Sequence, residues 1–252
     1  MIYTVAQQKG GVGKTTSAIN VAALLAERGR RVLAVDADPQ FALTRQLGVR
    51  VSELPLTLVD VLTGRVGATD AVLADVHGVD LLPAHRQLSS VEVTLAGEIG
   101  RETFLRRALD PLVESYDDVV IDTPPNLGLL TVNALLPADV VLAPVSAEDE
   151  GSAQGLAELN ATFAKLEDLR GGSQPKLIVL LTRWQEGRLM AQAVEEAIAG
   201  RGFAIAARIP ARAAVQQAAA WRTPLILAAP DSPASAAYAA FVDEVLAVGA
   251  VQ

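Results

Sequence analysis

Gln7-Gln8-Lys9-Gly10-Gly11-Val12-Gly13-Lys14-Thr15-Thr16 follows directly on the apolar run Ile2-Tyr3-Thr4-Val5-Ala6. A short β-branched run of this kind reads as a buried strand, and the Ala/Leu-rich stretch Thr15–Arg28 behind it reads as a helix. Between them stand Gly10, Gly11 and Gly13. Glycine reaches φ > 0 without a Cβ penalty and lets backbone N–H groups close on an anion. A helix beginning near Lys14 adds the positive end of its dipole. Lys14 can then reach the β- and γ-phosphates of a nucleotide, and the Thr15 hydroxyl can bind Mg²⁺. The common pattern G-x-x-x-x-G-K-[ST] is not met, because its first glycine falls at Gln8. Lys9 is a second cation that the cradle alone does not explain.

Outward from this loop, apolar runs and longer Ala/Leu/Glu stretches alternate. Ile2–Ala6, Arg31–Asp36, Val79–Pro83, Asp118–Asp122, Asp139–Val145, Lys176–Thr182 and Phe203–Ile209 read as strands. Each is mostly apolar rather than alternating, as parallel strands covered on both faces are. Thr15–Arg28, Leu127–Leu136, Gly151–Leu169, Met190–Gly200, Val215–Ala220 and Ala234–Val248 read as helices. The alternation predicts an α/β fold, a single doubly wound, mostly parallel sheet flanked by helices, with residues 1–252 as one domain. Arg50–Asp75, with Pro55, Gly64 and Gly67, reads as loops and a short helix.

Binding phosphates is not hydrolysing them; that needs a metal and a placed water. Val32-Leu33-Ala34-Val35-Asp36 is an apolar strand ending in an acid, and Asp38 follows in Asp36-Ala37-Asp38-Pro39-Gln40. Val119-Val120-Ile121-Asp122 is a second such strand, leading into Thr123-Pro124-Pro125. In a parallel sheet the C-terminal strand ends share the edge that carries the phosphate loop.

Lys9-Gly-Gly-Val-Gly-Lys-Thr-Thr16 resembles the deviant Walker A loop of the ParA/MinD family of P-loop ATPases, and Asp36-Ala-Asp-Pro-Gln40 resembles that family's switch I. Asp122-Thr-Pro-Pro-Asn-Leu-Gly-Leu-Leu-Thr-Val-Asn-Ala-Leu135 is similar to the switch II of its ParA/Soj branch, and the likeness continues through Ala138–Val145, Gly155-Leu156, Ile209-Pro210 and Thr223-Pro-Leu225. The resemblance implies an ATP-dependent sandwich dimer in which Lys9 reaches the phosphates bound by the partner copy. It assigns Lys9, Gly10, Gly11, Val12, Gly13, Lys14, Thr15 and Thr16 to ATP, Thr15, Asp36 and Asp122 to the Mg²⁺ shell, and Asp38 to the attacking water. By the same resemblance, Thr182, Arg183 and Pro210 are expected to border the adenine. Such proteins bind double-stranded DNA without sequence preference and drive chromosome or plasmid partition, with hydrolysis stimulated by a ParB-like partner. Phe41-Ala42 stands where relatives place small or polar residues. Ala211 intervenes before Arg212, and Ala214 occupies the next basic position of that loop.

The chain is acidic, with a net charge of −8, yet residues 170–222 hold eight cations against three acids, +5, which leaves −13 elsewhere. Non-specific DNA binding rests on phosphate neutralisation by Lys and Arg. Arg188 and Arg212 are the candidate DNA contacts. With eight residues ahead of Lys9, an N-terminal operator-binding domain is not expected. Neither a signal peptide nor a membrane span is expected, so the expected location is cytoplasmic, and nucleoid-associated in the ATP state. A MinD-like membrane switch needs a basic amphipathic terminus. The stretch Tyr238–Gln252 carries Asp243 and Glu244 and no Lys or Arg, so it reads as a packing helix. The absence of cysteine excludes thiolate metal sites and cysteine nucleophiles in this chain. Another protein-positioning switch and an ATP-dependent small-molecule ligase stay open.

Overall fold

The computed structural model describes residues 1–249. In chain order the elements are β1 (Ile2–Val5), α1 (Lys14–Glu27), β2 (Val32–Asp36), α2 (Ala42–Gln46), α3 (Leu58–Leu62), α4 (Ala68–Ala71), β3 (Leu73–Val76), β4 (Val79–Leu82), α5 (Leu88–Leu95) and α6 (Phe104–Val113). Then come β5 (Asp118–Asp122), α7 (Leu129–Leu135), β6 (Val140–Ser146), α8 (Gly151–Leu166), β7 (Lys176–Trp184), α9 (Leu189–Ala199), β8 (Ile205–Pro210), α10 (Ala213–Ala220), α11 (Leu225–Ala228) and α12 (Pro233–Gly249). The last three residues of the stretch read as a packing helix lie outside the described residues.

The eight strands form one sheet in the order β3-β4-β2-β5-β1-β6-β7-β8, parallel except for β3. Both faces are covered, which explains the unbroken apolar runs. Tyr3, Val5, Ala34, Val120 and Leu142 pack on one face beneath α1 and α12. Leu33, Val35, Val119 and Ile121 pack on the other with α3, α5 and α6, and Val141, Ala143 and Val179 with α8 and α9. β1 lies between β5 and β6, so the direction of winding reverses beside it. Ligands of open α/β sheets bind at that point, outside the carboxyl ends of the strands.

The predicted strands and helices are present with ends shifted by a few residues, and β3 is added. Arg50–Asp75 is more ordered than loops and a short helix: it holds α3, α4 and the start of β3. Thr57 and Asp60 form a capping box at α3, with Asp60 Oδ2 accepting from Thr57 N at 2.8 Å. β3 joins β4 through His77 and Gly78, whose φ values of 55° and 82° suit the two-residue turn of a twisted hairpin.

Arg170, one of the eight cations counted above in residues 170–222, has a structural task. Its guanidinium donates to the carbonyls of Leu135 (3.0 Å), Ala138 (2.7 Å) and Leu136, closing the C-terminal end of α7. Burial lowers its pKa. Three half-buried carbonyls depend on one side chain, and leaving such groups unpaired costs on the order of 1–3 kcal/mol. Arg170→Ala is therefore expected to lower the melting temperature by several degrees in calorimetry while leaving nucleotide affinity unchanged, because Arg170 lies at the other end of the sheet.

Candidate functional site

The loop between β1 and α1 is ordered by what its carbonyls bind. Lys9 O accepts from Lys14 Nζ (3.1 Å), Gly11 O from Arg183 Nη2 (2.9 Å), Val12 O from Thr182 Oγ1 (2.8 Å) and Gly13 O from Ser17 N (2.9 Å). Gly11 and Gly13 hold φ of 74° and 93°, the left-handed region that favours glycine. With these carbonyls engaged elsewhere, the N–H groups of Gly11, Val12, Gly13 and Lys14 have no acceptor among the described residues. Free N–H groups at the head of a fourteen-residue helix make an anion cradle. Lys14 is 7% exposed; burial lowers its pKa, and Asp122 and Asp38 oppose that shift. Beneath it, Ser17 hydrogen-bonds the phenol of the buried Tyr238 of α12 at 3.0 Å.

Three acids face this cradle. Asp36 and Asp122 end adjacent strands in matched register, and both are fully buried. Asp122 Oδ2 accepts from Thr15 Oγ1 at 2.7 Å. Asp122 Oδ1 is the one buried side-chain polar atom without a partner among the described residues. Burial raises the Asp122 pKa well above the carboxylate range, and Asp36 beside it adds to the shift. A buried carboxylate oxygen left open beside a threonine hydroxyl is a hard-oxygen donor set that fits Mg²⁺, which takes few protein ligands when phosphates supply others.

Asp36 is tied differently. Its Oδ2 accepts from Thr44 N (2.8 Å) and Thr44 Oγ1 (2.7 Å), and its Oδ1 accepts from Asp38 N (3.2 Å). Burial pushes its pKa to about 6. These bonds engage both oxygens of Asp36, so the structure makes it the anchor of the turn that presents Asp38 instead of leaving it open to the Mg²⁺ shell to which the resemblance assigns it. Asp38 Oδ1 accepts from Gln40 N at 2.8 Å, and its Oδ2 accepts no hydrogen bond among the described residues. Burial raises the Asp38 pKa, and Lys14 pulls it back. Phe41, which follows Gln40, takes a left-handed φ of 44° and packs against the core on the face that carries Leu33 and Val35.

Thr182, Arg183 and Pro210 line a cavity of about 360 Å³ together with Val12, Gly13 and Thr16. The structure thus brings the expected base-side residues next to the loop. It adds a function the sequence did not disclose, since Thr182 and Arg183 also hold the loop carbonyls. Arg183 Nη1 further pairs with Glu148 at 3.1 Å. A larger cavity of about 670 Å³, lined by Asp139, Lys176 and Phe241, lies at the opposite ends of the strands, away from the cradle. Lys9 stands on the rim, 41% exposed, in an ion pair with Asp149. Arg188 and Arg212 begin α9 and α10 and carry no carboxylate partner among the described residues. Thr44, Glu148, Asp149 and Tyr238 were not read from the sequence as site residues.

The family model described as an AAA domain matches residues 1–177. An uncharacterised protein of Mycobacterium tuberculosis is 45% identical over 185 residues, 73% of this chain, and the match spans 58% of that relative's length. Chromosome partitioning protein ParA of Caulobacter vibrioides is 37% identical, covering 97% of this chain and 93% of its own. Chromosome-partitioning ATPase Soj of Thermus thermophilus is 40% identical, covering 96% and 94%. Among solved structures, Cyanothece McdA superposes with a TM-score of 0.87 at 27% identity, covering 97% of this chain and 98% of that one. A Mycobacterium smegmatis structure described as cobyrinic acid a,c-diamide synthase gives 0.85 at 33%, covering 97% and 93%, and that protein has also been solved with ADP and magnesium. The deviant loop, the paired strand-end acids and near-complete coverage by ParA and Soj agree: this chain belongs to the ParA/Soj family of P-loop ATPases.

Proposed function

We propose that residues 1–252 act as a single ATPase domain that binds ATP and Mg²⁺, dimerises across the nucleotide, binds double-stranded DNA without sequence preference and drives chromosome or plasmid partition. The observation that carries this reading is the division of labour between two lysines. Lys14 is buried in the cradle, whereas Lys9 stands on its rim, 41% exposed and paired with Asp149. A rim cation is suited to phosphates held by a second copy, where it neutralises charge on the transferring group as an arginine finger does.

In this reading the N–H groups of Gly11–Lys14 and the Lys14 ammonium hold the phosphates. Thr15 and Asp122 hold the metal, which supplies charge neutralisation when bound. The open oxygen of Asp38 orients the attacking water. A ParB-like partner stimulates the step. The protein is cytoplasmic and nucleoid-associated in its ATP state; no described helix is long and apolar enough to cross a membrane.

A second reading, an ATP-using synthase, takes support from the name of the M. smegmatis neighbour. This chain contains no cysteine to release ammonia from glutamine. The two readings part on one measurement: a partition ATPase turns over ATP without an acid substrate and faster with DNA and a ParB-like protein.

Lys14→Gln is expected to weaken ATP binding about 100-fold or more in titration calorimetry, since it removes a charge-assisted contact from a buried site. Asp38→Ala should bind ATP normally and lose about 10²-fold in turnover; unchanged turnover would refute its role. Lys9→Ala should bind ATP and remain monomeric in sedimentation with ATP and Mg²⁺.

For DNA, binding to a random duplex should require ATP and weaken steeply with salt. Arg188→Glu and Arg212→Glu should each weaken it several-fold without changing ATP affinity. Equal binding by both variants would move the DNA surface elsewhere.

A further inference from the structure

The turn after β6 carries two consecutive acids, and each holds one cation of the site. Glu148 takes Arg183, and Asp149 takes Lys9. The second pair is built rather than incidental. Asp149 Oδ1 accepts from Gly151 N at 3.0 Å, the first residue of the sixteen-residue helix α8. The positive end of the α8 dipole attracts a negatively charged side chain placed there. That bond fixes the side chain and leaves Oδ2 to the Lys9 ammonium. Position 151 has no side chain: a Cβ there would stand 3.3 Å from Asp149 Oδ1 and 3.5 Å from Lys9 Nζ. The ion pair therefore packs down on the backbone where α8 begins.

The geometry points to Asp149 as a positioning residue that holds Lys9 in cis and so sets the threshold for dimerisation. This rests on the trans role of Lys9 proposed above. In this proposal the Lys9 ammonium leaves Asp149 of its own chain to reach the phosphates of a second copy, so dimer formation breaks the pair twice, once in each subunit. Both side chains are 41% exposed, so the pair is solvated and screened. It is weak enough to be exchanged for the phosphates of a bound nucleotide, and having to break it raises the protein concentration at which the nucleotide-bound chain dimerises.

The test is sedimentation of the full chain with a non-hydrolysable ATP analogue and Mg²⁺ over a range of protein concentrations. Asp149→Asn keeps an acceptor for Gly151 N and removes the charge. Its dimerisation midpoint should fall about 3- to 20-fold in low salt, two pairs being released per dimer, and the gap to wild type should close in 0.5 M salt as screening removes an exposed pair's contribution. Nucleotide affinity of the monomer should not change. An unchanged or higher midpoint overturns the proposal, a higher one meaning that Asp149 guides Lys9 instead of restraining it. Asp149→Ala, read in the same way, serves if the asparagine variant does not fold. Lys9→Ala separates the two levels of inference. If it stays monomeric while Asp149→Asn behaves as wild type, only the restraint fails. If it dimerises like wild type, the trans role fails and the restraint with it.

Discussion

Everything at this site depends on which way a few peptide carbonyls point. A loop can offer N–H groups to phosphate only if its carbonyls are taken up elsewhere, because buried carbonyls do not stay unpaired. Here Lys14, Thr182, Arg183 and Ser17 take the carbonyls of Lys9, Val12, Gly11 and Gly13. Two of those four partners come from the end of β7, about 170 residues further along the chain. The cradle is thus a tertiary structure, not a local motif. Arg183 itself takes a left-handed φ of 54°, a conformation that costs a non-glycine residue about 1 kcal/mol or more. Its two anchors, Gly11 O and Glu148, hold it there.

The acids impose an opposite constraint. Asp36 and Asp122 end neighbouring strands and are fully buried, and Asp38 stands beside them. Like charges in a dry site raise one another's pKa, and burial adds to this. Asp36 offsets the cost with three hydrogen bonds, while Asp122 keeps one oxygen open. The difference separates an acid that shapes a turn from one that is available to a cation. The fold carries an electrostatic deficit at this point that a bound cation would relieve.

Much of this was legible. The strand–glycine–helix order, the two strand-end acids and the unbroken apolar runs follow from periodicity and from the needs of a doubly covered sheet. What escaped reading falls into two kinds. α5 and α6 bury Leu88, Val91 and Leu95, and Leu105, Leu109 and Leu112, at helical spacing, but their short, polar-rich turns and Pro111 obscure the pattern. Thr44, Asp149 and Tyr238 are ordinary residues in sequence: Thr44 acts by folding back across a turn onto the strand-end Asp36, and Asp149 and Tyr238 act through Lys9 and Ser17, far away in the chain.

Charge shows the same limit more sharply. Residues 170–222 are a basic segment in sequence, but in space their cations separate. Arg170 and Lys176 lie toward the start of β7, and Arg183 lies at its end. Arg183 and Arg208 are paired with Glu148 and Glu195. At the cradle end of the sheet this leaves Arg188 and Arg212, each immediately ahead of a helix. A cation at a helix N-terminus faces the positive end of the dipole and is disfavoured there. Neither position is explained by the stability of the monomer. A polyanion laid across the starts of α9 and α10 would turn both unfavourable placements into attractive ones, since helix dipoles and guanidinium groups would then act on the same phosphates. Two copies joined at their nucleotides would present four such arginines, on a chain whose overall charge is otherwise repulsive to DNA.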